Sequence, residues 1–188
     1  IRVAKRKGAA FVAKLPKAWR EAAPQPRFEF VESEDVPVHA EFISLLESTV
    51  RADGTIPIKI IQPGRGSSGF YTEAAMKTGP NVFKSGLEMH WDHRTEADKR
   101  SRPEGSLNDV AAKLIEDARY VPDHPAGAGL YSTARVYEHF QPFVNEMGPD
   151  IGLSIDATGK GHYGKAPDGQ DGPVVEAFTS AAGIDFVT

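Results

Sequence analysis

The densest group of ionisable side chains in the sequence is His90-Trp91-Asp92-His93. Imidazole is the side chain best suited to moving protons near neutral pH and is also a common metal ligand. Two histidines three apart, with an aspartate between them, fit a metal-dependent hydrolase built on His90 and His93. They equally fit a general base awaiting a nucleophile. No HxH or HExxH companion is present, and His39, His124, His139 and His162 are scattered. The base reading is thus the better supported of the two, and a surface loop with two ordinary histidines stands level with it.

With no cysteine in the chain, a thiolate nucleophile, a thiolate zinc site and a disulfide framework are all excluded. Serine is then the nucleophile to look for. In Ile151-Gly152-Leu153-Ser154-Ile155-Asp156, strand alternation puts Leu153 and Ile155 on one face and Ser154 on the other, beside Gly152 and Asp156. Gly152 leaves room for a substrate backbone. The surroundings are not the Gly-x-Ser-x-Gly elbow, which argues against an α/β-hydrolase, and a strand serine by itself is most often structural. For an acid that orients the base, Asp185 lies between Ile184 and Phe186 and points away from their apolar face. Glu176, in Val174-Val175-Glu176, is similar in kind. Each needs a partner such as His93, or else faces solvent. The glycine turn Pro63–Gly69 invites a phosphate-loop reading, but no Lys-Ser/Thr ends it, so it is a structural turn or a substrate-side loop.

These side chains must be positioned by short elements. Residues 56–61 are β-branched and strand-like, and 28–32 alternate as a strand does. Residues 39–52 place Phe42, Leu45, Leu46 and Val50 on one helical face, and a short helix fits 73–78. An apolar-periodic stretch begins near Leu107 and either continues through Lys113–Val121 or turns into a strand there. Leu130–Tyr137 reads as a strand, Glu138–Met147 as a short helix, and Ile151–Asp156, Val174–Phe178 and Ile184–Val187 as three further strands. The expected class is α+β: a mainly antiparallel sheet with a few short helices.

The order of motifs resembles the capsid maturation (prohead) proteases of tailed bacteriophages. The motifs are Ile60-Ile61-Gln62-Pro63-Gly64-Arg65-Gly66-Ser67-Ser68-Gly69-Phe70-Tyr71, Met89-His90-Trp91-Asp92-His93, Arg102-Pro103-Glu104-Gly105-Ser106-Leu107, Ile151-Gly152-Leu153-Ser154-Ile155 and Ser180 to Thr188. They span roughly two thirds of the chain. One departure is His90, where an aromatic residue is usual. The resemblance implies a fold related to the herpesvirus assembly protease, a β-barrel-like sheet flanked by short helices. It implies a serine endopeptidase with Ser154 as nucleophile, His93 as general base and Asp185 as third member, with Glu176 as the alternative. A loop would donate to the oxyanion, with Arg102–Leu107 the candidate. No cofactor is implied. The substrates would be scaffold and capsid proteins and the protease itself, inside a procapsid assembling in the host cytoplasm, and some relatives act as homo-oligomers. Besides the metal-dependent hydrolase, the remaining alternative is a catalytically silent capsid-assembly protein that keeps the protease fold.

The 188 residues suit one domain with an arm. The first 20 hold seven Lys and Arg and no acid, so the rest carries −11 against a net charge of −4. We therefore expect a basic arm and Pro-rich linker over 1–27 and a protease domain over 28–188. The arm could dock on an acidic protein or act as a removable pro-segment. No aromatic-interleaved basic surface points to a specific nucleic acid. No apolar run is long enough for a membrane helix, and no signal peptide is legible. Ile1 in place of Met fits a processed piece of a longer chain.

Overall fold

The computed structural model describes residues 36–38, 43–47, 49–93, 96–102 and 105–188. The expected arm and linker, and the strand expected at 28–32, lie outside them. In chain order the strands are β1 (Val36–Val38), β2 (Ile43–Ser44), β3 (Thr55–Ile61), β4 (Gly64–Arg65), β5 (Phe70–Tyr71), β6 (Glu88–Trp91), β7 (Val110–Leu114), β8 (Arg119–Val121), β9 (Gly129–Val136), β10 (Gly152–Lys165) and β11 (Asp171–Val187). The helices are α1 (Glu73–Thr78), α2 (Glu96–Ser101) and α3 (Gln141–Met147). The strands form one curled sheet in the order β1-β10-β11-β6-β7-β9-β3, with β2 beside β10, β8 beside β9, and the β4–β5 hairpin joined to β11. Pairing is antiparallel except where β11 runs parallel to β5 and β6. The class is therefore α+β, as the sequence pattern leads one to expect.

Local chemistry accounts for these elements. In β3, Ile56, Ile58 and Ile60 alternate into the core and are fully buried. Pro57 is tolerated because β3 ends the sheet's main path, where a missing N–H costs little. α1 starts at Thr72, whose Oγ1 accepts from the Ala75 N–H at 3.1 Å, and Pro80 immediately beyond its end prevents its continuation. The glycine turn forms the β4–β5 hairpin. There Arg65 reaches Asp168 at the tip of the β10–β11 hairpin, with Nε–Oδ2 at 2.5 Å and Nη2–Oδ1 at 2.9 Å. A Cβ on Gly69 would lie 2.5 Å from the Pro173 carbonyl oxygen, so only glycine permits that approach of the hairpin to β11.

Three expectations are corrected. The helix expected over 39–52 does not form among the described residues of that stretch. Ile43–Ser44 instead pair with Leu153 and Gly152 of β10, and the Val50 N–H donates to Asn145 Oδ1 at 2.7 Å. An apolar 3–4 spacing was available to a helix, but the free edge of β10 offered backbone partners. Val174–Phe178 and Ile184–Val187 are not separate strands but the two ends of the 17-residue β11. Strand β10 likewise runs on from Asp156 to Lys165. Register shifts after Asp156, Thr158 and Lys160 keep the two long strands paired through their small-residue middles. The ambiguous stretch 113–121 resolves into the end of β7 and β8. Glu138–Met147 is a 3-10 turn (Glu138–Phe140) leading into α3.

Candidate active site

The core sets the position of every candidate side chain. Met89 on β6, Leu153 and Ile155 on β10, and Ile184 and Phe186 on β11 are 0–3% exposed and belong to one apolar cluster. Their strand neighbours His90, Ser154 and Asp185 must therefore project to the opposite face of the sheet. Register then aligns them. Ser154 lies opposite Asp185 across the antiparallel β10–β11 pair, and Asp185 lies beside His90 across the parallel β11–β6 pair. Residues 95 and 31 positions apart in the sequence thus form one row.

His93 reaches this row by a turn. Asp92 follows β6 with a left-handed backbone, φ 76°, a conformation that aspartate tolerates better than most residues. Its N–H donates to the Phe186 carbonyl at 2.9 Å, and its Oδ1 accepts from the His93 N–H at 2.8 Å. These bonds fold the chain back so that the His93 ring lies over the row. His93 Nε2 is 2.9 Å from Ser154 Oγ, and His93 Nδ1 pairs with Asp185 Oδ2. An ionised carboxylate only accepts, so Nδ1 carries the proton and the Nε2 lone pair accepts from the Ser154 hydroxyl. Ser154 and Asp185 are each 4% exposed, while the His93 side chain is 41% exposed and open to a substrate.

The sequence-selected residues His93, Ser154 and Asp185 thus come together, and Glu176 does not. Glu176 lies nine residues back along β11 and pairs with His162 Nδ1 at 3.2 Å on an exposed surface. His90 occupies a position that the sequence left open. It stands on a strand rather than in a surface loop, and its Nδ1 is 3.2 Å from Asp185 Oδ1. The two histidines meet on opposite oxygens of one carboxylate instead of converging on a common centre. Among the described residues, no group of three or more His, Cys, Asp or Glu is placed to hold a metal ion. The signal for His90 was its odd spacing from His93, which alternation along β6 and one turn converts into a shared target.

Beside His93 lies a cleft of about 190 Å³ lined by Trp91, Asp92, Arg102, Gly105, Ser106 and Asp109. Gly105 and Ser106 belong to the loop that leads from α2 to β7, and the Gly105 N–H donates to the Arg102 carbonyl at 2.9 Å. On the other side of Asp92, Trp91 packs against Phe140 and Phe186 with ring centres 5.5 and 5.8 Å apart, tying the turn to the 3-10 turn before α3 and to β11. The arrangement can do nucleophilic acyl chemistry: a hydroxyl, a base within reach of it, and an acid that fixes the base's tautomer.

No protein-family model and no curated protein matches the chain. Among solved structures it is similar to the capsid assembly protease gp21 of bacteriophage T4. That similarity has 18% identity and a TM-score of 0.44, and covers 82% of this chain and 95% of that one.

Proposed function

We propose that the protein is a serine endopeptidase with Ser154 as nucleophile, His93 as general base and Asp185 as the acid that orients it. The observation that carries this reading is the continuous chain of hydrogen bonds from Ser154 Oγ through the His93 ring to the buried Asp185 carboxylate. His93 Nε2 takes the hydroxyl proton as Oγ adds to a peptide carbonyl carbon. The resulting tetrahedral adduct expels the amine, which leaves with the proton held by His93. Water then attacks the acyl-enzyme, giving its proton to His93, and the second adduct collapses to the free acid as Ser154 Oγ leaves and takes that proton back from His93. Asp185 keeps Nδ1 protonated and offsets the positive charge on the ring in each half-reaction. The loop bearing Arg102, Gly105 and Ser106 borders the same cleft as His93 and is our candidate for oxyanion donation.

The substrates we infer are scaffold and capsid proteins of an assembling phage head, and the protease chain itself. That inference rests on the order of motifs from Ile60 to Thr188, and it places the enzyme inside a procapsid in the host cytoplasm. No helix among the described residues is long and apolar enough to cross a membrane.

The test is Ser154→Ala assayed on a scaffold-fused substrate. Cleavage is expected to fall by about 10⁶-fold, as when the nucleophile of a comparable triad is removed. Melting temperature should stay within about 2 °C, because a hydroxyl that serves chemistry contributes little to packing. Wild-type cleavage should also be indifferent to EDTA. Full activity in Ser154→Ala, or activity lost to EDTA and restored by zinc, overturns the reading.

A further inference from the structure

Asp185 has two imidazole partners, and the proposed mechanism uses only one. The His90 side chain is 16% exposed and that of Asp185 5%, so their contact is largely removed from water. His90 Nδ1 stands 3.2 Å from Asp185 Oδ1, while His93 Nδ1 takes the other oxygen, Oδ2. On the far side of the His90 ring, Nε2 faces Glu88 Oε2 at 3.8 Å. The ring is also held from below. A Cβ on Gly183 would lie 3.1 Å from both Cε1 and Nδ1 of His90, so the glycine leaves the slot in which the ring lies against β11.

From this geometry we infer that His90 is a positioning residue of the site: it locks the plane of the Asp185 carboxylate so that Oδ2 stays aimed at His93. The inference rests on the serine-peptidase reading and deepens it. A carboxylate rotates easily about χ2, which is a broad, nearly two-fold torsion. With a donor on one oxygen alone, it can swing and exchange oxygens. With a donor on each, rotation breaks two bonds at once. A carboxylate this buried is also costly unless its oxygens are hydrogen-bonded. β6 supplies both donors, His90 from within the strand and His93 from the turn after it. Parallel pairing with β11 puts His90 level with Asp185, so the strand that delivers the base also fixes the acid.

The experiment is the rate of covalent labelling of Ser154 by a fluorophosphonate probe, which reports nucleophile activation without a known substrate. His90→Phe keeps the ring's bulk and removes the donor. Its limiting labelling rate should fall about 10- to 100-fold, the loss of one hydrogen bond to a charged group, with half-saturating probe concentration unchanged. His90→Asn carries an amide N–H near the position of Nδ1 and should recover to within about threefold of wild type. His90→Gln carries its donor farther out, toward Glu88, and should stay low. If the Phe variant does not fold, the comparison of Asn with Gln decides the matter. Equal rates for wild type and the Phe variant, or for Asn and Gln, overturn the role of His90. Wild type that labels no faster than Ser154→Ala overturns the peptidase reading itself.

Discussion

At Asp185 burial and charge pull in opposite directions. A carboxylate that is 4% exposed is costly unless its oxygens are hydrogen-bonded. The two histidines meet that cost, one on each oxygen, and hold the charge beside the His93 ring. Asp185→Asn should therefore be damaging in a specific way. The amide can present its N–H to His93, which reverses the tautomer and turns the Nε2 acceptor into a donor facing Ser154. We expect turnover of the scaffold-fused substrate to drop by about 10⁴-fold, the scale seen when the same swap is made in a well-characterised serine-protease triad. Glu176→Gln should leave turnover within about twofold, because its exposed pair with His162 is the kind that contributes little. Equal losses in the two variants would mean that the acid has been misassigned. Strand alternation made Asp185 legible in the sequence, since it placed the residue opposite to Ile184 and Phe186. It could not separate Asp185 from Glu176, which alternates in the same way. What separates them is register with Ser154, a non-local property that no window of sequence contains.

At the scale of elements, the long β10–β11 hairpin has two ends with different duties. One end carries Ser154 and Asp185. The other is tied down by the bidentate contact of Arg65 with Asp168. That hydrogen-bonded guanidinium lowers the Asp168 carboxyl from its ordinary 3.8 to about 2. A depressed folded-state value means that the contact favours the folded tip fully above about pH 4. The contribution is lost as pH falls through the window from about 4 to about 2. NMR titration should show Asp168 protonating near 2 in wild type and at distinctly higher pH in Arg65→Ala. Over the same window, protection of the Ala166 and Gly169 amides should fade in wild type. An Arg65→Ala variant that titrates like wild type would remove the pin from the account. Because the tip is remote from Asp185 along β11, labelling of Ser154 at neutral pH should not change. The same hairpin shows why element lengths were harder to read than element types. Residues 56–61, 73–78 and 130–136 carry strong local patterns and fold as those patterns direct. The middle of β11, Thr179-Ser180-Ala181-Ala182-Gly183, has no alternation and reads as a break. Only the long partner strand, with its bulges, and the His90 ring lying over Gly183 account for a strand there.

For the molecule as a whole, the site is a product of sheet assembly rather than of any one segment. His93, in the turn after β6, and Ser154 on β10 are 61 residues apart, and Asp185 comes from β11. The α+β class was legible because it depends on many local patterns added together. The coincidence of three side chains became legible only through the resemblance of motif order, since pairing across strands is a long-range choice. The packing ties that coincidence to the core: Trp91, two residues before His93, stacks on Phe140 and packs at a tilt against Phe186, and Phe186 directly follows Asp185. Loosening the site should therefore require loosening the apolar cluster beneath it, in a single cooperative step. The chain has two tryptophans, so a Trp19→Phe variant leaves Trp91 as the one tryptophan to report, excited selectively over the tyrosines. In a urea titration of that variant, the midpoints for Trp91 fluorescence and for fluorophosphonate labelling of Ser154 should coincide within about 0.2 M, as two probes of one transition do. Labelling lost at distinctly lower urea would instead assign the turn at Asp92 and His93 its own, weaker unit of stability. His93 would then be held by its own N–H bond to Asp92 Oδ1, and Asp92 by its N–H bond to the Phe186 carbonyl, rather than by the sheet as a whole.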